Sequence, residues 1–349
     1  MEVSSSISNS EHEPMRTDWL FLSRLIKLLV FISIVVVIDW ISARIMRPLF
    51  LSQKAGQYKV LNYVIYHGKP EVLILGNSRA QHHYVPEIIS DSLKLSCFNA
   101  GIDGGHSILL PYALVELVTQ RYAPKIIMIE LNPDAFTLEK GVYERLSVLL
   151  PYKNESPQIK HLLETRNPLE KLKWVSAIYP FNSKIVDLIK LNVPHFAAKY
   201  VDYDGYVPLY GVMKETEKIA ENGESVEQSE PVIDNNLINA LDKIIHICDE
   251  KGIALYFVNS PTFHNNRDVK SKPASVYRLT TSMIQHSQAV FLDYSFDTVF
   301  LDQNQWFQDV RHLNDNGARK FSSSVSLRIR ETLKDRLHGK DFSNHLDDQ

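Results

Sequence analysis

A serine hydroxyl, an imidazole and a carboxylate are the parts of an activated nucleophile, and this chain offers them in two short stretches far apart in sequence. Val72-Leu73-Ile74-Leu75-Gly76-Asn77-Ser78-Arg79 reads as a buried strand running into a Gly-Asn-Ser turn, which would hold the Ser78 hydroxyl at the tip of a sheet. Asp309-Val310-Arg311-His312-Leu313-Asn314 places Asp309 and His312 three residues apart, just ahead of a helix-length segment at 314–330. A serine attacks only when a base takes its proton; His312 is the expected base, with Asp309 fixing its tautomer and stabilising the imidazolium. Taken singly, Gly-Asn-Ser is an ordinary turn or helix cap, and Asp-x-x-His an ordinary polar surface. The case rests on their meeting in space.

Acyl transfer also needs donors aimed at the oxyanion of the tetrahedral intermediate. The candidates are the N–H of Ser78, the N–H of Gly101 in Phe98-Asn99-Ala100-Gly101, and the side-chain amide of Asn132 in Glu130-Leu131-Asn132-Pro133. Asn77, Arg79 and His106 are the expected substrate-binding residues, Arg79 because a cation beside the serine would favour an anionic polymer or acyl carrier. His82 and His83 could line the same pocket. No His-x-x-x-His pair or Cys/His cluster occurs, so neither a metal nor a cofactor is expected. Gly101-x-x-Gly104-Gly105 lacks the spacing of a dinucleotide-binding loop.

The elements that must position these residues are legible as short apolar, β-branched runs at 72–75, 96–99, 126–131, 254–259 and 290–294. Helix-length segments lie between them at 85–93, 109–121 and 234–251. Alternation of this kind predicts an α/β three-layer sandwich around a parallel sheet of about five strands, with ligands gathering at the carboxyl ends of the strands. Ser78, Gly101 and Asn132 each follow such an end. The order is interrupted at about 137–231 by an insertion of mixed periodicity. Within it, Asp204-Gly205 between Tyr203 and Tyr206 signals a tight turn, either purely structural or a lid over the site. Residues 214–230, with six Glu and two Lys, read as solvated.

Composition narrows the classes further. The chain has 349 residues, 44% hydrophobic and 23% charged, with a formal charge of -3 and no basic block, so nucleic acid is not an expected partner. Its cysteines, Cys97 and Cys248, lie in apolar runs and read as buried thiols rather than a disulfide framework. After a tail at 1–19, residues 20–45 form an apolar stretch with Trp19 and Trp40 at its ends, and this is the expected transmembrane anchor, a buried helix or cleaved signal peptide being the alternatives. Its uncharged centre, 28–38, is shorter than a span, which puts Lys27 and Asp39 near the two interfaces. A connector at 46–70, the α/β domain at 71–335 and a polar tail at 336–349 complete the expected organisation.

Taken in order, Gly76-Asn77-Ser78 after the first strand, Gly101 after the second, Asn132 after the third and Asp309-x-x-His312 before the last helix resemble the four blocks of the SGNH (GDSL-like) hydrolase superfamily. The resemblance covers roughly residues 71–333 and implies the flavodoxin-like fold of that superfamily. It makes Ser78 the nucleophile, His312 the base, Asp309 its partner, and Gly101 and Asn132 oxyanion donors with Ser78. With its apolar N-terminal segment the chain also looks like the exported, membrane-anchored DltD-like and alginate-acetylation-type envelope proteins. That likeness implies an esterase or O-acyltransferase facing the periplasm or cell exterior. It further implies a glycan or acyl-ester substrate and a membrane-embedded acyl-donor partner. There are two departures. Asn77 stands where the first block usually has Asp, and Glu130-Leu131-Asn132-Pro133 stands where the third usually has Gly-x-Asn-Asp. The competing readings are a catalytically silent protein of the same fold that binds glycan or assembles an envelope complex, and a doubly wound nucleotide-binding protein.

Overall fold

The computed structural model describes residues 15–104, 107–131, 135–136, 138, 141–214, 232–263, 281–285 and 287–344. Its centre is a five-stranded parallel sheet of β1 (Val72–Leu75), β2 (Cys97–Asn99), β3 (Ile126–Glu130), β4 (Ala254–Asn259) and β5 (Val290–Asp293), in the order β2-β1-β3-β4-β5. This is the flavodoxin-like doubly wound order, and the expected α/β fold class is what forms. Strand and helix limits within the sheet domain differ from the expected ones by a residue or two, except the last helix, which continues to Asn344; the N-terminal helix, expected at 20–45, runs from Met15 to Leu51.

Period-two alternation sends neighbouring strand residues to opposite faces. Val72, Ile74, Ile126, Met128, Tyr256 and Val258 join a core with Ile89 of α4 (Pro86–Leu93) and Phe321 and Val325 of the Asp315–Asn344 helix. Leu73, Leu75, Ile127, Ile129, Leu255 and Phe257 join the other, with α5 (Leu109–Thr119) and the Asn235–Glu250 helix. Because both faces are covered, the strands are apolar throughout rather than alternating, which is why they read as continuous β-branched runs.

The described part of the insertion folds into short helical turns, from Glu144–Tyr152 to Pro194–Ala197, which extend the second core toward the N-terminal helix. That helix, α1 (Met15–Leu51), has a stretch Trp19–Leu51 whose most apolar 18 residues reach a mean hydropathy of 2.5, long and apolar enough to cross a membrane. At 1.5 Å per residue it is roughly 50 Å long, well beyond a hydrocarbon core of about 30 Å. The surplus belongs to the domain: Met46 and Phe50 are buried, and Phe50 packs edge-on against Tyr58 of α2 (Gly56–Asn62) and against Tyr152. Residues 46–51, expected in a connector, are therefore helical.

The Asp204-Gly205 turn is the structural alternative realised. Both residues have positive φ, 52° and 87°, and Tyr203 pairs with Tyr206 across them. The Asp204 carbonyl accepts from the Asn99 N–H at 2.9 Å, so the turn seals the free edge of β2. A Cβ on Gly205 would lie 1.8 Å from the Asn99 carbonyl oxygen. Gly205→Ala is expected to cost on the order of 2–3 kcal/mol, from the left-handed backbone and the clash together, measured by chemical denaturation.

Candidate active site

β1 ends at Leu75, and Gly76-Asn77 carries the chain over the carboxyl edge of the sheet into α3 (Ser78–His83). Asn77, expected to bind substrate, instead caps this helix: its Oδ1 accepts from the Arg79 N–H at 3.0 Å. The physical reason is that the first turn of a helix leaves N–H groups unpaired, and an Asn side chain at the cap satisfies one. Ser78 is then the first helical residue and half-buried, and among the described residues its N–H has no acceptor.

His312 comes from the loop before the last helix. Its Nε2 lies 2.9 Å from Ser78 Oγ, and its Nδ1 lies 3.0 and 3.1 Å from the two oxygens of Asp309. The tautomer follows from the partners. Ionised Asp309 only accepts, so Nδ1 carries the proton and Nε2 is left to accept from the serine. Burial pushes the Asp309 carboxyl up, but the hydrogen bonds from His312 and from the Arg311 N–H outweigh it and hold its pKa below the ordinary value. The loop is folded around the same carboxylate, whose Oδ1 accepts from the N–H groups of Arg311 and His312 at 2.8 and 2.9 Å. Asn314 then caps the last helix through Gly317 and donates to the Gly211 and Gln305 carbonyls.

Two further expectations are corrected. The Gly101 N–H donates to Asn99 Oδ1 at 2.9 Å inside the protein, so it is not directed at a ligand. Gly101 is there for contact: a Cβ would lie 2.3 Å from the Gln81 nitrogen, where α3 packs against the loop after β2. Arg79 does not place a cation at the rim. It is buried, with Nε donating to Glu130 Oε1 at 2.7 Å, one terminal nitrogen ion-paired with the same oxygen, and a bond to Asn259 Oδ1 at 2.8 Å. A guanidinium removed from water must find such partners, and Glu130 at the end of β3 is the carboxylate within reach. Asn132 and His106 lie outside the described residues.

The network below the serine is what the sequence reading missed. Glu130 also accepts from Tyr84 Oη and from Ser260 Oγ, the latter at 2.9 Å. Ser260 Oγ lies 2.7 Å from Nδ1 of buried His83, whose Nε2 accepts from the Leu313 N–H at 3.0 Å, one residue from His312. Asn99 Nδ2 donates to the Ala80 and Tyr84 carbonyls, tying α3 to β2. A strap from Tyr206 to Met213 adds a second tie. Val207 N–H donates to the Gln81 carbonyl, Val207 O accepts from His82 Nδ1 at 2.7 Å, and Tyr206 Oη donates to Asp315. The serine helix and the histidine loop are thus joined from below and from the side. The sequence signals were Glu130, a carboxylate ending an otherwise apolar strand, and His82-His83 close after the serine, expected to line the pocket rather than to tie it together.

His83 gives this network a pH dependence. Burial, and then the Arg79 charge, hold its pKa well below 6.5, so it is neutral and fit to accept from Leu313. The unfolded chain takes up a proton there as pH falls below about 6.5 while the folded chain does not, so stability is present above that value and declines below it. His82, depressed first by burial, acts in the same direction. Thermal unfolding followed from pH 7.5 to 5 is expected to show a falling midpoint, with a shallower fall in His83→Asn.

A serine, an imidazole and a carboxylate thus stand in hydrogen-bonded series at the carboxyl edge of a doubly wound sheet, an arrangement in which the imidazole can accept the serine proton. No family model matches the chain, and no curated protein matches it in sequence. Among solved structures it is similar to one from Streptococcus pneumonia described as a "putative platelet activating factor", at 13% identity and a TM-score of 0.38, covering 78% of this chain and 90% of that one. Likeness at that level carries no argument about chemistry.

Proposed function

We propose that this protein carries out acyl-ester chemistry through an acyl-enzyme on Ser78. The observation that supports this reading is the unbroken series Ser78 Oγ, His312 Nε2, His312 Nδ1 and Asp309, with separations of 2.9 to 3.1 Å. His312 takes the serine proton as Oγ attacks the ester carbonyl, then returns it to the departing alcohol; water or a sugar hydroxyl resolves the acyl-enzyme. The Ser78 N–H is one oxyanion donor. Asn132 is the second.

The anchoring helix supports an exported domain working on a cell-envelope glycan, as an O-acyltransferase supplied by a membrane-embedded acyl donor or as an O-acetyl esterase. Such an activity needs the catalytic domain held close to the envelope. The test is a fluorophosphonate probe on the full chain, followed by incubation with acetylated glycans and simple acetyl esters. Labelling lost in Ser78→Ala and kept in Ser323→Ala supports the enzyme, and the ratio of transferred to released acetate separates transferase from esterase. Absence of labelling in folded protein overturns the reading in favour of a glycan-binding or scaffolding protein.

A further inference from the structure

Among the described residues, the domain touches the last part of α1. Residues 24–38 are exposed, whereas Asp39, Ser42, Ala43, Met46 and Phe50 form a covered stripe at helical spacing. Contact begins at Asp39, whose carboxylate accepts from Ser176 Oγ and the Ala177 N–H, both at 2.6 Å. The uncharged centre of the apolar stretch, 28–38, ends at the residue before it. The segment around 169–178 is therefore the part of the domain brought level with the lipid boundary, and it neutralises the cost of an acidic side chain there.

That segment turns its large apolar side chains outward. Leu169, Leu172 and Val175 are 60%, 67% and 88% exposed, and their three-residue spacing puts them on one side of the Glu170–Lys173 turn. Between them Glu170 is buried, paired with Arg166 and Lys173, so the turn is inside out for a surface bathed in water. Beside the turn stands Trp174, with the ammonium groups of Lys153 and Lys160 at 5.5 and 5.8 Å from its ring centroid. Tryptophan and long cationic side chains are the types that settle at the headgroup level of a bilayer.

We propose that Leu169, Leu172 and Val175 insert into the lipid beside α1, with Lys153 and Lys160 against anionic headgroups, so that the protein holds the membrane at two places and its domain at a fixed attitude. This rests on the reading of α1 as a spanning anchor. One helix alone would leave the domain free to rotate about its axis; a second lipid contact removes that freedom and sets the height of the Ser78 edge.

The experiment uses the full chain in vesicles of phosphatidylcholine with or without phosphatidylglycerol. Cysteine is introduced singly at Val175, at Val35 in the anchor or at Val212 in the strap and labelled with an environment-sensitive fluorophore, the parent with Cys97 and Cys248 serving as the blank. The expected result is a blue-shifted label at 175, quenched by lipids spin-labelled near the headgroup. The label at 212 should behave as in water, and that at 35 should be quenched by lipids spin-labelled deep in the chain. A label at 175 that matches 212 while 35 is quenched overturns the proposal alone. A label at 35 that stays unquenched overturns the anchor reading and the proposal with it. Phosphatidylglycerol should strengthen quenching at 175, and the double change Lys153→Gln, Lys160→Gln should remove that gain; an unchanged gain overturns the headgroup assignment.

Discussion

Replacing Ser78 by alanine is expected to lower kcat for ester turnover by about four to six orders of magnitude while leaving the thermal midpoint within a degree or two of the parent. The side chain is half-buried and its hydrogen bond goes to His312, so truncation removes the attacking atom without opening a cavity. His312→Ala should cost a similar factor. Because the two residues act as one unit, the double variant should lose no more than either single change. Steady-state hydrolysis of an acetyl ester, with the midpoint measured on the same preparations, checks all three. A Ser78→Ala protein that retains parental turnover would place the chemistry elsewhere.

The largest effect on stability is expected at Glu130, not at any residue of the triad. Glu130 is buried and receives Arg79, Tyr84 and Ser260 at once. In Glu130→Ala the guanidinium of Arg79 would be left buried without its counter-charge, and breaking a buried ion pair in this way typically costs about 3–5 kcal/mol. For a chain of this size that is a fall in midpoint on the order of 10 °C. Burial, and then the Glu130 charge, push the Tyr84 pKa well above its usual range, so Tyr84 stays a donor at any working pH and would lose its acceptor in the same variant. Changing Arg79 and Glu130 together to apolar residues of similar volume should recover a large part of the loss, since no charge is then stranded. Thermal denaturation of the two single variants and the pair measures the coupling.

This network also explains how two distant stretches meet with atomic registration. Ser78 rides on α3, which is held by Asn99 from β2 and by Val207 from the strap. His312 rides on a loop held by His83 through Leu313 and by Gly211 through Asn314. His82 and His83 thus connect both halves although neither contacts Ser78 or Asp309 in the hydrogen-bonded series. Loss of either tie would loosen the Oγ to Nε2 distance, and a displacement of about 1 Å can cost two orders of magnitude in rate.

Much of this was legible in residue order alone. The strands were visible because a sheet covered on both faces demands uninterrupted apolar runs, and Val72–Leu75, Ile126–Glu130 and Ala254–Asn259 supply them. The apolar helix was visible from length and composition, and the Ser78, His312 and Asp309 set from residue type and order. Arg79 and Gly101 were misjudged for a common reason. A sequence shows which groups are available but not which partner each has found, and both had found one inside the protein: Arg79 in Glu130, Gly101 in the Asn99 side chain. Residue order, then, determined the doubly wound sheet and which atoms could form a nucleophile, since periodicity and strand-end position are local properties of the chain. The distance from Ser78 to His312, the burial of Arg79 and the joining of the two loops through His83 were decided by tertiary structure, because hydrogen bonds between residues more than two hundred positions apart are set by packing that no local pattern encodes.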